Sequence, residues 1–343
     1  MDENKIMISN LEQKPQLLTQ VLNLIEECFE YGEGFSFLND FFPLLNIENH
    51  ANCWLLLHEE TQELIGHIGA REVNLSVKDG SFPCVFLGGI AIKKQFQGKG
   101  LFKYFFNAIL NNYETDHSML CLWSNKPELY QRFGFELATT IEVTTGSRKT
   151  IDWKKNTSFN EFTEEEFKQI RTCYENFTEQ FATIERTSDD WFNLQEMEAL
   201  EIFTHKTDNK IDAYFVRGKG FDLQNIAHEF GYANDEGKNF LEEMLKGQIC
   251  WLPEGALESL ERQSMNFAMM VRPGAFYPDF IKHISAGAIE VTELTDTGAI
   301  FHYKGEDYQY LMAEFLPMIL GPNPVDEFKS FYTPFYISGL DSI

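Results

Sequence analysis

One stretch limits what this chain can fold into more than any other: LGGIAIKKQFQGKGLFKYFF, Leu87–Phe106. It opens as an apolar run with strand character, turns through Gly98 and Gly100, and continues from Leu101 to Asn111 with apolar residues at helical period. A strand that enters a helix through such a turn aims the amides of Gln97, Gly98, Lys99, Gly100 and Leu101 at one point, at the positive end of the helix. A nest of this kind binds a pyrophosphate, and glycine lets the phosphate reach the backbone without meeting a side chain. Lys99 adds a compact positive charge. A bare Gly-x-Gly also fits an ordinary strand-to-helix turn.

The elements around this stretch set the class. Residues 16–30 place Leu17, Leu18, Val21, Leu22, Leu24, Ile25 and Cys28 at helical spacing, and Gly32 and Gly34 end the helix. Cys53–His58 and Leu64–Glu72, separated by EETQE, read as a hairpin of strands, followed by a strand over Phe82–Ile92. After the Leu101 helix come a strand at Met119–Trp123, a helix near Glu128–Arg132 and a strand from Phe135. This order predicts a mixed α/β sheet of about 140 residues. The basic, polar segment GSRKTIDWKKNTSFN sets a boundary, giving domains at 1–147 and 148–343. Beyond it, Glu164–Phe181 reads as a helix, Ile211–Val216 and Leu223–Phe230 as strands flanking ArgGlyLysGlyPheAsp, Asn239–Leu245 as a helix and Ile249–Leu252 as a strand. That rhythm suggests a second, diverged copy of the first domain. The stretch from Asn266, with FAMMV, YQYLMAEFLPMIL and the aromatic tail, receives no fold assignment.

Charge narrows the partners. The chain has 28 Lys and Arg against 53 Asp and Glu, a net charge of -25, which repels phosphate backbones and anionic lipid. Nucleic acid and membrane are therefore not expected as partners, and a cationic ligand is. From Pro15 to Ala70 there are nine carboxylates and no Lys or Arg, either a solvated acidic face or the border of a site for cations. The N-terminus MDENKIMISN lacks a secretory pattern, and no apolar run nears the ~18 residues of a membrane span. Six scattered cysteines without CxxC spacing read as reduced thiols of a cytoplasmic protein. The eight histidines show no ligand spacing, so no metal is expected.

QFQGKG resembles the Q/R-x-x-G-x-G/A coenzyme A loop of the GNAT superfamily of N-acyltransferases. Downstream, WSNKPELYQRFGFEL, Trp123–Leu137, resembles the family's segment after its fifth strand, where a Tyr stands four residues before the Gly of a GlyPhe pair; Tyr130, Gly134 and Phe135 fit. The resemblance covers about residues 8–145 and implies acetyl-CoA as cosubstrate, direct acyl transfer to an amine, and a sheet splayed between its fourth and fifth strands. It implies that backbone groups of Gly89, Ile90, Ala91 and Ile92 pair with the pantetheine amides. It further implies that the amides of Gln97–Leu101 hold the pyrophosphate, that Asn125 bonds the pantetheine arm, and that Tyr130 protonates the departing thiolate.

The base is the point of departure. Some members of the family carry a Glu on the fourth strand where this chain has Cys84, which cannot act as a base in an apolar strand. Glu33, Glu72, bound water and the chain terminus stay open. Tandem-domain members use a C-terminal carboxylate, which makes Ile343, after the tail PFYISGLDSI, a candidate catalytic group. The second half has no such loop: ArgGlyLysGly at 217–220 sits where a hairpin turn belongs, so one coenzyme A site is expected. The expected activity is an acetyl-CoA-dependent N-acetyltransferase acting on a cationic small-molecule or peptide amine, in a chain that could form a homo-oligomer. The alternatives are a non-catalytic acyl-CoA sensor and a transferase of another acyl group.

Overall fold

The computed structural model describes residues 5–146, 155–198, 200–321 and 325–343, with the backbone alone at 263–267. The first half runs β1 (Ile6–Asn10), α1 (Leu18–Cys28), two short helical turns α2 (Phe37–Asp40) and α3 (Phe42–Leu45), β2 (Cys53–His58), β3 (Leu64–Val77) and β4 (Gly80–Ile92). It continues through α4 (Leu101–Tyr113), β5 (Met119–Leu122), α5 (Pro127–Gln131) and β6 (Glu136–Thr144). The second half begins with α6 (Glu164–Thr178), β7 (Ala182–Ile184), α7 (Ser188–Gln195), β8 (Glu201–Thr207), β9 (Lys210–Arg217), β10 (Ala227–Tyr232) and α8 (Asp235–Leu245). It ends with β11 (Trp251–Leu252), β12 (Arg262–Pro273), α9 (Tyr277–Ile284), β13 (Ile289–Leu294), β14 (Gly298–Tyr303), β15 (Glu306–Leu311), α10 (Met312–Leu320) and β16 (Phe335–Tyr336).

The main sheet has the order β1-β2-β3-β4-β5-β12-β6-β11, with β7 and β16 attached beside β3. Helices cover both faces because their apolar stripes have somewhere to go: α1 buries Val21, Leu24 and Ile25, and α4 buries Leu101, Phe105, Phe106, Ile109, Leu110 and Tyr113. β4 and β5 run parallel and pair only over Cys84–Phe86 with Met119–Cys121. Past that point β4 continues to Ile92 without β5 beside it, so the sheet opens between them.

Of the differences from the sequence expectation, three change the architecture most. β5 and β6 are not neighbours; β12, from the second half, fills the space between them and pairs antiparallel with both. The main sheet is therefore shared across the division at 147/148, which itself lies in residues 147–154, outside the described residues. β8 is an additional strand; with β9 and β10 it forms a separate three-stranded antiparallel sheet packed against α6 and α8. The strand expected from Leu223 starts only at Ala227, because residues 218–225 are taken up by a turn in which Gly218 and Gly220 have positive φ.

Candidate active site

The opening between β4 and β5 is built on a bulge. β3 and β4 pair at His67–Ala91 and again at Gly69–Gly88, so β4 carries one residue more than β3 between these pairs. Gly89 takes up the excess with φ +57. The fully buried His67 lies against it, Nδ1 2.7 Å from the Gly89 carbonyl oxygen. Desolvation holds the His67 imidazole neutral, its pKa pushed down to about 4, so the Nδ1 proton is the one donated. Sequence reasoning missed this residue, although a histidine among LIGHIGA, an apolar strand otherwise made of small and branched residues, was the available signal.

Next to the bulge, Ala91 and Ile92 pair with β3 on one side and have no strand on the other. The chain then makes a single 3-10 turn, Lys94–Phe96, and enters α4 through Gly98 and Gly100, at φ +72 and +80. A Cβ built on either glycine meets nothing within 4 Å, so the protein leaves the space above this turn open. Gln97 plays a different part from the one expected: its amide donates to Lys94 O at 3.3 Å and its side chain to Ile92 O at 2.9 Å, bracing the loop. Among the described residues, the amides of Gly98, Lys99, Gly100 and Leu101 meet no backbone or side-chain acceptor. Lys99 folds back on Gln95 O at 2.7 Å and over the Phe96 ring.

Tyr130 stands on α5, its ring packed on Phe102, Phe106 and Phe135. The residue is 7% exposed, its hydroxyl makes no hydrogen bond among the described residues, and that oxygen is not among the buried unsatisfied atoms, so it keeps access to solvent. Burial pushes the phenol up to about 12, leaving it protonated throughout the neutral range. Asn125 is exposed in the loop between β5 and α5.

The end of the chain lies on the opposite face of β4. Successive residues of a strand alternate between faces: Val85 and Leu87 point to the α4 side, whereas Cys84, Phe86 and Gly88 face the other. A Cβ on Gly88 would come within 2.7 Å of the main-chain carbon of Ile343 and 3.0 Å of its oxygen. Arg71, paired with Phe86, shares this face and donates to Asp341 O at 2.9 Å. Arg186, itself buried, bridges Asp341 and Glu229. Leu340, Asp341 and Ser342 are all buried.

The other base candidates fall elsewhere. Glu72 is paired with Val85 and so belongs to the α4 face, where His117 Nε2 lies 3.2 Å from its carboxylate and holds its pKa down. Glu33 is exposed on the loop after α1. Cys84 is fully buried, and desolvation raises its thiol far above the neutral range. Three of the nine carboxylates of the acidic stretch have partners of their own: Glu60 pairs with Lys5, Glu63 with Lys93, and Glu26 accepts the Phe37 amide. Asp40 bonds the Tyr31 hydroxyl and sits beside Lys219, with Asp222 close by. Desolvation raises both carboxyls.

Residues 12–138 match the family model described as an acetyltransferase (GNAT) domain. Residues 12–138 thus form a GNAT acetyltransferase domain, and the protein is an acyltransferase. No curated protein matches it in sequence. Its fold is similar to a GCN5-related N-acetyltransferase from Kribbella flavida, with TM-score 0.63, 10% identity and 100% of both chains covered. It is also similar to a GCN5-related N-acetyltransferase from Anabaena variabilis, with TM-score 0.59 and 13% identity, over 92% of this chain and 90% of that one. N-myristoyltransferase of Saccharomyces cerevisiae, solved with myristoyl-CoA bound, matches with TM-score 0.53 and 13% identity over 80% of this chain and 86% of that one. Among the described residues no helix is long and apolar enough to cross a membrane, and no group of three or more His, Cys, Asp or Glu could hold a metal ion.

Proposed function

We propose that this protein is an acetyl-CoA-dependent N-acetyltransferase with one donor site, acting on a cationic amine. The observation that carries this reading is the pairing of four unoccupied amides at the start of α4 with an unpaired edge of β4 beside them. The first suits a pyrophosphate and the second an extended amide chain. Backbone groups of Gly89–Ile92 take the pantetheine arm, with Asn125 on its other side, and the amides of Gly98–Leu101 take the pyrophosphate. The close packing at the bulge favours a short acyl group: His67 and Ile25 lie within 3.3 Å of a Cβ on Gly89, and Ile343 within 3.1 Å of one on Gly88.

The acceptor amine attacks the thioester carbonyl, forming the C–N bond and a tetrahedral centre. That centre collapses with cleavage of the C–S bond, and Tyr130 gives its proton to the departing thiolate. In this reading the Ile343 carboxylate, half-buried with the tail, takes the ammonium proton on the far face of β4. Asp40 and Asp222, at the seam between the two halves, favour a positively charged acceptor. The halves, divided near 147/148, serve as donor site and acceptor wall around a shared sheet. Six unpaired cysteines, five of them buried, support a cytoplasmic setting.

Thiol release measured with acetyl-CoA and a panel of polyamines, aminoglycosides, Lys-rich peptides and neutral amines tests the reading. Cationic acceptors should react faster, and the advantage should shrink with added salt, since screening acts over about 8 Å at physiological ionic strength. No thiol release with any amine despite acetyl-CoA binding would assign the site to sensing instead.

A further inference from the structure

We propose that the turn ArgGlyLysGly at 217–220 is a clamp for the last residues of the chain, with Lys219 as the positioning residue that sets Ile343 against Gly88. The proposal rests on the reading that the Ile343 carboxylate serves the acyl site. Lys219 is 1% exposed. Its Nζ donates to the carbonyl oxygens of Gly339 at 2.6 Å and Ser342 at 2.7 Å, and lies 3.5 Å from Leu340 O. Its charged neighbours are Asp341, Asp40 and Asp222, opposed by Arg71, and the Phe41 ring lies 4.6 Å away. No carboxylate oxygen comes within ion-pair distance of this nitrogen among the described residues.

This arrangement is costly for a tail that merely packs. Leu340 and Ile343 already supply apolar anchors, and burying an amine among neutral carbonyl and hydroxyl oxygens forfeits hydration that an apolar side chain would never have had. What the amine adds is direction. Two carbonyls, three residues apart, are drawn to one point, which fixes the path of the main chain between them. The flanking glycines fit the same purpose. A Cβ on Gly220 would collide with the Asp40 carboxylate at 1.9 Å, and one on Gly339 would lie 2.5 Å from the His228 ring and 2.7 Å from Leu223. The His228 backbone carbonyl accepts from Tyr336 Oη and the Gly339 amide, while Arg71 holds Asp341 O and Arg186 holds its carboxylate. Lys219 bonds residues 339 and 342 and not Ile343 itself, so it bears on Ile343 through the path of the tail.

Lys219→Met keeps an unbranched side chain, one heavy atom shorter, and removes the donors. The expected result is at least tenfold faster amide hydrogen exchange in a peptide spanning 337–343, at least tenfold lower kcat, and a KM for acetyl-CoA within twofold of the parent. Gly339→Ala, which leaves the Lys219 side chain unaltered but displaces the tail carbonyl it holds, should give the same signature and serves if Lys219→Met does not fold. Unchanged exchange at 337–343 in a folded variant overturns the proposal, as does faster exchange with unchanged kcat when deletion of 341–343 lowers kcat. If that deletion leaves kcat intact, the reading of Ile343 as the base fails separately, and accelerated exchange in Lys219→Met still upholds the clamp.

Discussion

Replacing Tyr130 with Phe separates packing from proton transfer more cleanly than any other single change. The ring contacts with Phe102, Phe106 and Phe135 do not involve the hydroxyl, and the hydroxyl forms no hydrogen bond that would be lost. The folded state should therefore change by no more than about 0.5 kcal/mol, which in a protein this large moves Tm by less than about 2 °C. Turnover is another matter. Loss of a general acid typically lowers the rate ~10²- to 10⁴-fold, equivalent to about 3–5 kcal/mol of barrier at 1.36 kcal/mol per decade. Affinity for acetyl-CoA should stay within about a factor of three, since the aromatic ring itself remains. Because burial raises the phenol to about 12, the parent enzyme should show no alkaline fall in kcat from this group below about pH 11. Steady-state thiol release, with calorimetric titration of acetyl-CoA on the same samples, reads all of these. A Phe variant with parental turnover and parental Tm would assign Tyr130 to packing and require another proton donor.

Valine at Gly98 and Gly100 should leave the fold standing, at about 1–2 kcal/mol of backbone strain per site, because their positive φ is unfavourable for Val although the space around them is free. A charge-assisted hydrogen bond from one of these amides to a phosphate is worth about 1.5–3 kcal/mol, so acetyl-CoA affinity should fall at least tenfold per site; unchanged affinity by calorimetry would place the pyrophosphate elsewhere. His117→Gln should lower Tm most in acid. Burial works against charging His117, but its hydrogen bonds to Glu72 and the Tyr113 carbonyl prevail and raise its pKa. That stabilisation is complete below the unfolded value near ~6.5 and is lost as pH rises through the raised folded value, while Glu72 stays ionised. The Tm gap between parent and variant should therefore narrow from pH 5.5 to 8, and a gap that widens would contradict the pairing.

What could be read from the sequence was local. The strand, turn and helix of Leu87–Phe106 carry their own periodicity and glycines, and their coordinates follow from about twenty consecutive residues. Tyr130 could be found because its spacing to Gly134 and Phe135 is fixed within one helix and turn. β12 was beyond reach of such reasoning, since its pairing of Arg262 with Thr144 spans more than a hundred residues and nothing in either strand encodes the partner. Arg71, Arg186, Lys219 and Asp341 were hidden for another reason. Each charge taken singly reads as a solvated surface group, and only the folded chain gathers them around the tail in the interior. β8 is weakly patterned, with Ile202 and Phe203 adjacent and then His205 and Lys206, so its pattern favours neither strand nor loop.

The position of β12 has a consequence for any attempt to isolate the donor site. In residues 1–147 alone, β5 would lose four paired positions and β6 eight, leaving their inner edges without hydrogen-bond partners. Met269, Met270 and Val271 are all fully buried between the neighbouring layers. Burying side chains of this size contributes about 1.5–3 kcal/mol each, so their removal withdraws roughly 5–9 kcal/mol before the exposed cores on either side are counted. A whole domain is typically stable by only about 5–15 kcal/mol. The fragment 1–147 should therefore lack a cooperative melt and fail to bind acetyl-CoA, even though every amide proposed to hold the donor lies within it. Adding a peptide of residues 260–275 should restore part of the binding by supplying the missing strand. A fragment that melts cooperatively and binds acetyl-CoA without that peptide would mean that β5 and β6 can close on each other, and that β12 displaces a pairing that the first half can make by itself.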